Sequence, residues 1–128
     1  MTVQQLFDTT TSMLGLNASN ASTYLETLIG QVNTLLADCY NLENNNRRAL
    51  GLTELTTIPT VAVIGDTIPY QDSIVRKVMI WGLAQMFAII DDEMNRATYY
   101  GIRFADGLRG ESKAIPTDIE DYYGTEEV

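Results

Sequence analysis

The chain has 128 residues, 45% of them hydrophobic, and a net charge of −9, which bounds it to one domain with a modest core. So acidic a surface repels a nucleic-acid backbone and argues against a DNA- or RNA-reading domain, though not against contact by repulsion, as in a smooth channel. Histidine is absent, which removes the commonest general base and metal ligand, and the single cysteine, Cys39, forbids an intrachain disulfide.

Thr2 and Gln5 have the spacing of a capping box and predict the start of a first helix. Val3, Leu6, Phe7 and Leu14 give it an apolar side, and Gly15 stops it. Met1 to Leu14 carries neither a basic region nor a long apolar run, so a signal peptide is not expected. A polar loop follows, in which Asn20 or Ser22 is expected to cap the second helix. Leu25, Leu28, Ile29, Val32, Leu35, Leu36, Cys39 and Leu42 recur at three- and four-residue steps and predict one continuous helix. Cys39 is read as a small core hydrophobe. Gly30 inside this pattern suggests close packing. The helix closes on Asn44-Asn45-Asn46-Arg47-Arg48, where arginines suit the negative end of the dipole, and Gly51 redirects the chain.

Leu52 to Thr67 changes character. Its threonines, valines and isoleucines favour extended structure, Pro59 interrupts it, and Gly65-Asp66 marks a turn. Connections of this length are usually functional or floppy. Val61 to Ile64 is apolar enough to pack, either on a neighbour or on the chain's own core. Ile68 to Ile90 then predicts the central helix, with Pro69 at or before its first turn and Asp72 within that turn. Apolar residues fall on nearly every face from Ile74 to Ile90, so nearly every face needs cover, and a second copy of the chain is one supplier. Gly82, Ala84 and Ala88 leave room for close helices. The run Val78 to Ile90 is short for a bilayer and contains Gln85, so no membrane association is expected.

Asp91-Asp92-Glu93 precedes a fourth helix reaching about Leu108, with Asp91 or Asp92 as its cap. This is the one tight carboxylate cluster, and a metal-dependent hydrolase is the catalytic alternative it raises. Adjacent carboxylates at a helix start point apart, so capping is the plainer role. No catalytic, cofactor-binding or metal-binding residue is assigned. From Gly110 to Val128 the chain holds six acids and one lysine, interspersed with Ala114, Ile115, Pro116, Ile119, Tyr122 and Tyr123. It reads as an extended acidic tail able to dock on a partner. The expected fold is mainly α, a small four-helix domain over residues 1–109 with a long extended loop between its second and third helices and a tail over 110–128.

Several pieces in order carry a resemblance: Leu35-Leu36-Ala37-Asp38-Cys39-Tyr40, Glu43-Asn44-Asn45-Asn46-Arg47-Arg48, Gly51-Leu52-Thr53-Glu54-Leu55, Ile58-Pro59, Ile68-Pro69-Tyr70, Trp81-Gly82-Leu83-Ala84 and Asp91-Asp92-Glu93. Over roughly Leu25 to Leu108 the chain resembles the head-tail connector proteins of tailed bacteriophages, also called head completion or adaptor proteins. The resemblance implies a virion structural protein at the neck, made in the host cytoplasm. It implies a homo-oligomeric ring, commonly a dodecamer, that docks on the portal protein, meets a tail or head-tail stopper protein and continues the DNA channel without sequence-specific binding. It implies no enzymatic activity and no cofactor. Extended segments of such rings embrace neighbours, and Leu52 to Thr67 and Ala114 to Tyr123 are the candidates here. The interface candidates are Arg47, Arg48 and Arg76 as ion-pair partners, and Val61, Val63, Trp81, Ile115, Ile119, Tyr122 and Tyr123 as docking residues. The alternative is a helical interaction, assembly or regulatory module that forms no ring.

Overall fold

The computed structural model describes residues 1–16 and 21–112. The protein is mainly α-helical, and among the described residues the only β pairing is an isolated bridge between Thr2 and Thr67. Among the described residues there are five helices: α1 (Val3–Met13), α2 (Leu25–Asp38), α3 (Tyr40–Ala49), α4 (Asp72–Ile90) and α5 (Met94–Gly110).

Helix α1 begins as its sequence predicts. The Thr2 hydroxyl accepts from the Gln5 N–H, and the Gln5 side chain accepts from the Thr2 N–H. Two further N–H groups of its first turn, those of Val3 and Gln4, donate to the carbonyls of Asp66 and Ile64. The long connection therefore finishes the cap of the first helix, satisfying donors that a helix start leaves open. The buried Thr10 and Thr11 hydroxyls donate to carbonyls four residues back, so their polar atoms are satisfied inside the core.

The predicted second helix is two helices. Its pattern of buried residues holds through Leu28, Val32, Leu35, Leu36, Cys39 and Leu42, but the backbone turns at Cys39 (φ −94°, ψ 2°). The Cys39 N–H still donates to Leu35 and the Glu43 N–H to Cys39, and between them the helical ladder is interrupted, the Leu36 carbonyl accepting from the Tyr70 hydroxyl instead. The expected caps differ too. Ser22 opens a 3₁₀ turn (Ser22–Tyr24) leading into α2, Tyr24 occupies the cap position without a side-chain hydrogen bond, and Asn20 lies outside the described residues. Gly30 is exposed, and a methyl group there would meet no neighbouring atom within 4 Å. Close packing is thus absent at this position. Gly30→Ala is expected to raise stability by about 1 kcal/mol, from helix propensity alone, as a higher urea midpoint at unchanged slope.

Helix α4 is the centre of the fold, packed by α1, α2 and α5. Its 19 residues are long and apolar enough to cross a membrane by length and composition. The expectation counted only Val78 to Ile90 and fell short of that length. In the folded chain Ile74, Val75, Val78, Met79, Ile80, Leu83, Ala84, Phe87 and Ala88 are buried in the protein's own core. Much of the lateral cover that the sequence demands thus comes from the same chain, and Ile89 and Ile90 at the far end stay exposed. Phe87 stacks on Tyr24 at 4.4 Å and meets Phe7 edge-on at 6.1 Å. Gly82 sits where neighbouring helices pack closely. A Cβ there would lie 2.4 Å from Leu35 and 3.0 Å from Phe104. The first turns of α4 hold a π-helical stretch, Val75–Met79, which the apolar pattern does not reveal.

Three helices end in the same way. After α1, α3 and α4 the residue beyond the cap is left-handed: Gly15 (φ 72°), Gly51 (φ 73°) and Asp92 (φ 59°). In each, the last carbonyls accept from the two following N–H groups, the double bond of a Schellman motif. Asp92 is therefore a stop for α4 rather than a cap for α5. Glu93 takes the cap position of α5 without a side-chain hydrogen bond, and its carboxylate pairs with Arg96 at 3.2 Å.

Candidate functional site

The interface candidates fall into four groups. In the first, each is engaged within its own chain. Glu43 is fully buried, and its carboxylate accepts from Arg47 Nε at 3.2 Å and from the Gln71 N–H at 2.6 Å. The other Arg47 nitrogens donate to the carbonyls of Thr53 (3.1 Å) and Pro69 (3.0 Å). Arg47 therefore ties α3 to both ends of the long connection, with Nε and both terminal nitrogens each donating within the chain. Arg48 pairs at 3.0 Å with Glu54 of the same chain, both side chains being about half exposed. Val61 is buried in the protein's own core, and its backbone N–H and C=O are both held by the Asn33 side chain, at 2.8 and 3.1 Å.

Of the two expected ways for this stretch to pack, Val61 takes the one on the chain's own core. Asn44 clamps Leu55 the same way, through N–H and C=O, and the Tyr40 hydroxyl donates to the same Leu55 carbonyl. Asp66 accepts from the N–H groups of Ala62 and Val63, which holds its carboxyl below the usual range. The connection is extended, but it is fastened to α1, α2 and α3.

The second group remains at the surface. Val63 is 59% exposed, and Leu50, Leu52, Ile58 and Ile64 of the same stretch are exposed with it. A further apolar series runs over the α4–α5 corner and along α5: Ile89, Ile90, Met94, Tyr99 and Ile102. Met94 and Ile102 belong to α5, in which Ala97 alone is buried. The third group, Ile115, Ile119, Tyr122 and Tyr123, lies outside the described residues.

Trp81 and Arg76 are brought together in a groove of about 540 Å³ between the start of α4 and the end of α5. Lys77, Arg103, Asp106 and Glu111 line it as well. The Arg103 guanidinium lies 4.5 Å from the Trp81 ring centre, a cation–π contact, and Tyr99 and Tyr100 flank the same ring. Lys77 and Arg103 were not singled out from sequence. The legible signal was that Lys77 precedes Trp81 by one helical turn.

Asp91, Asp92 and Glu93 do not converge. Asp91 accepts from the Tyr24 hydroxyl, Asp92 forms the left-handed turn, and Glu93 faces Arg96. Among the described residues no three of His, Cys, Asp and Glu gather as metal ligands. Burial, then the hydrogen bond to Asp91, pushes the Tyr24 hydroxyl up to about 12. Burial, then the charges of Asp38 and Glu43, pushes the Cys39 thiol from 9.0 up to about 12. Burial likewise raises Tyr70, whose hydroxyl donates to the Leu36 carbonyl. All three hold their protons more tightly folded than unfolded. Their contribution is complete below about pH 9 and is lost as pH rises toward 12. Unfolding free energy is expected to fall by about 1 kcal/mol or more between pH 8 and pH 10, led by the thiol. In Cys39→Val that early fall shrinks, as urea titrations at both pH values would show.

Comparison of this chain with family models, with curated proteins and with solved structures finds no match.

Proposed function

We propose that the protein is a structural ring component, a head-tail connector that docks on a portal, continues a DNA channel and joins capsid to tail. The observation that carries this reading is the distribution of exposed apolar side chains. Two stretches of one small chain, 50–64 and 89–102, hold most of its large exposed hydrophobic residues. Exposed apolar surface of this kind marks association. Two separate stretches of exposed apolar side chains on each copy suit a heterologous, head-to-tail interface, the kind that closes into a ring. The order of sequence pieces from Leu35 to Glu93 supports the same reading, and the acidic composition suits a lumen through which DNA slides without sticking.

In this proposal Val63 and Ile64 of one copy face the Ile89, Ile90 and Ile102 surface of the next, and the fastened connection holds its apolar side chains in a fixed position. Mixing the purified protein with portal rings tests it. The expected result is a stoichiometric complex in sedimentation or native mass spectrometry, lost in an Ile89→Asp/Ile102→Asp variant that keeps its helical circular dichroism. No complex between the unaltered chain and portal rings would overturn the reading in favour of an interaction module that forms no ring.

A further inference from the structure

The groove between α4 and α5 is out of keeping with the rest of the chain. The protein carries only eight basic residues against seventeen acids, and Arg76, Lys77 and Arg103 all line this one depression. Local acids do not cancel them. Asp106 is already engaged by Arg109 at 2.8 Å, which leaves Glu111 at the rim, and Arg76 reaches Asp72 at no less than 4.0 Å. Among the described residues no carboxylate pairs with Lys77 or Arg103 within salt-bridge distance. The π turn Val75–Met79 buries Val75, Val78 and Met79 and leaves Arg76 and Lys77 exposed. The floor is aromatic, with Trp81 under Arg103 and beside Tyr100. The site thus offers three cations around an aromatic platform.

We infer that this groove binds the acidic aromatic segment Asp118–Tyr123 of the same chain. Its composition is the complement: Asp118, Glu120 and Asp121 alternate with Ile119 and precede Tyr122 and Tyr123. The chain also leaves the described domain at the right place. The Asn46 side chain donates to the Glu111 carbonyl at 2.9 Å, and Asn45 donates to the Ser112 hydroxyl at 3.0 Å. These bonds pin the start of the segment at the groove's edge, where Gly110 and Glu111 form part of the lining. Reach is sufficient. Arg103 lies eight residues before Glu111 in the helix, about 12 Å along its axis, and the six residues from Ser112 to Asp118 span up to roughly 20 Å when extended. The acids meet Arg76, Lys77 and Arg103, and the tyrosines lie against Trp81. Occupation of this groove is separate from the ring proposal and holds for a single copy.

Trp81 is the chain's only tryptophan and reports directly on the groove. Acrylamide quenching of its emission is measured in the full-length chain and in D118N/E120Q/D121N. The quenching constant is expected to rise at least about twofold in the neutralised segment, and comparably in the unaltered chain at about 0.5 M NaCl, where exposed pairs are screened. Reversing both sides, R76E/K77E with D118K/E120K/D121K, is expected to restore protection. Protection that survives roughly hundredfold dilution marks an intramolecular contact. Equal quenching in the unaltered and neutralised chains would overturn the inference. Protection lost on dilution would overturn it in favour of a second copy's segment. Further protection of the unaltered chain by a single-stranded oligonucleotide would overturn it in favour of a nucleic-acid ligand.

Discussion

Replacing Arg47 by Ala is expected to destabilise the fold by about 3–5 kcal/mol, the scale for breaking a buried ion pair. The carboxylate it leaves behind, Glu43, is fully buried and would keep only the Gln71 N–H as a donor. The substitution also releases the carbonyls of Thr53 and Pro69, one near each end of the long connection. Thermal unfolding followed by circular dichroism is expected to show a Tm lower by about 10 °C or more. Glu43→Gln on the Arg47→Ala background is expected to recover part of that loss, because a neutral amide costs less to bury than an unpaired charge. Arg48→Ala, which removes a half-exposed pair with Glu54, is expected to change stability by less than about 1 kcal/mol. An Arg47→Ala variant as stable as the unaltered chain would show that its work lies outside the domain.

The second large effect is expected at Phe87. Its ring is fully buried, stacked on Tyr24 and edge-on to Phe7, so it joins α4 to both the first helix and the turn before α2. Phe87→Ala is expected to cost about 3–5 kcal/mol, through lost transfer energy and the cavity that remains. It also removes one face of the stack that holds Tyr24 over Asp91. Phe87→Leu keeps much of the volume and is expected to lose less than half as much in urea unfolding. A cost below about 1 kcal/mol for the alanine would mean that the core collapses around the site and that α4 is not its organising element.

The parts of this fold that were legible in the sequence are those set by local chemistry. Thr2 and Gln5 announce the capping box because both partners lie within one helical turn. The stripe from Leu28 to Leu42 announces a buried face because burial repeats with the helical period. The kink at Cys39 was not legible, since Cys39 and Leu42 keep facing the core on either side of it and leave the pattern unbroken. The π turn at Val75–Met79 was hidden because an all-round apolar helix carries no phase to disturb. The fate of the arginines was decided at long range. Arg47 finds two backbone carbonyls, and backbone acceptors have no signature in a sequence. Val61 has a weak signal in hindsight: Asn33 interrupts an apolar helix face, and its amide fits the two backbone groups of an extended neighbour. Of the groove, Trp81 and Arg76 were named, while Lys77 and Arg103 join them only through the packing of α4 on α5.

The ring proposal makes this chain a phage structural protein, and its most direct test is the chain's copy number in purified phage particles, measured by quantitative mass spectrometry against the portal protein. The account predicts a fixed ratio near one to one, at roughly a dozen copies per particle. Absence of the chain from mature particles would contradict it and leave the fold as that of an assembly factor or regulatory module.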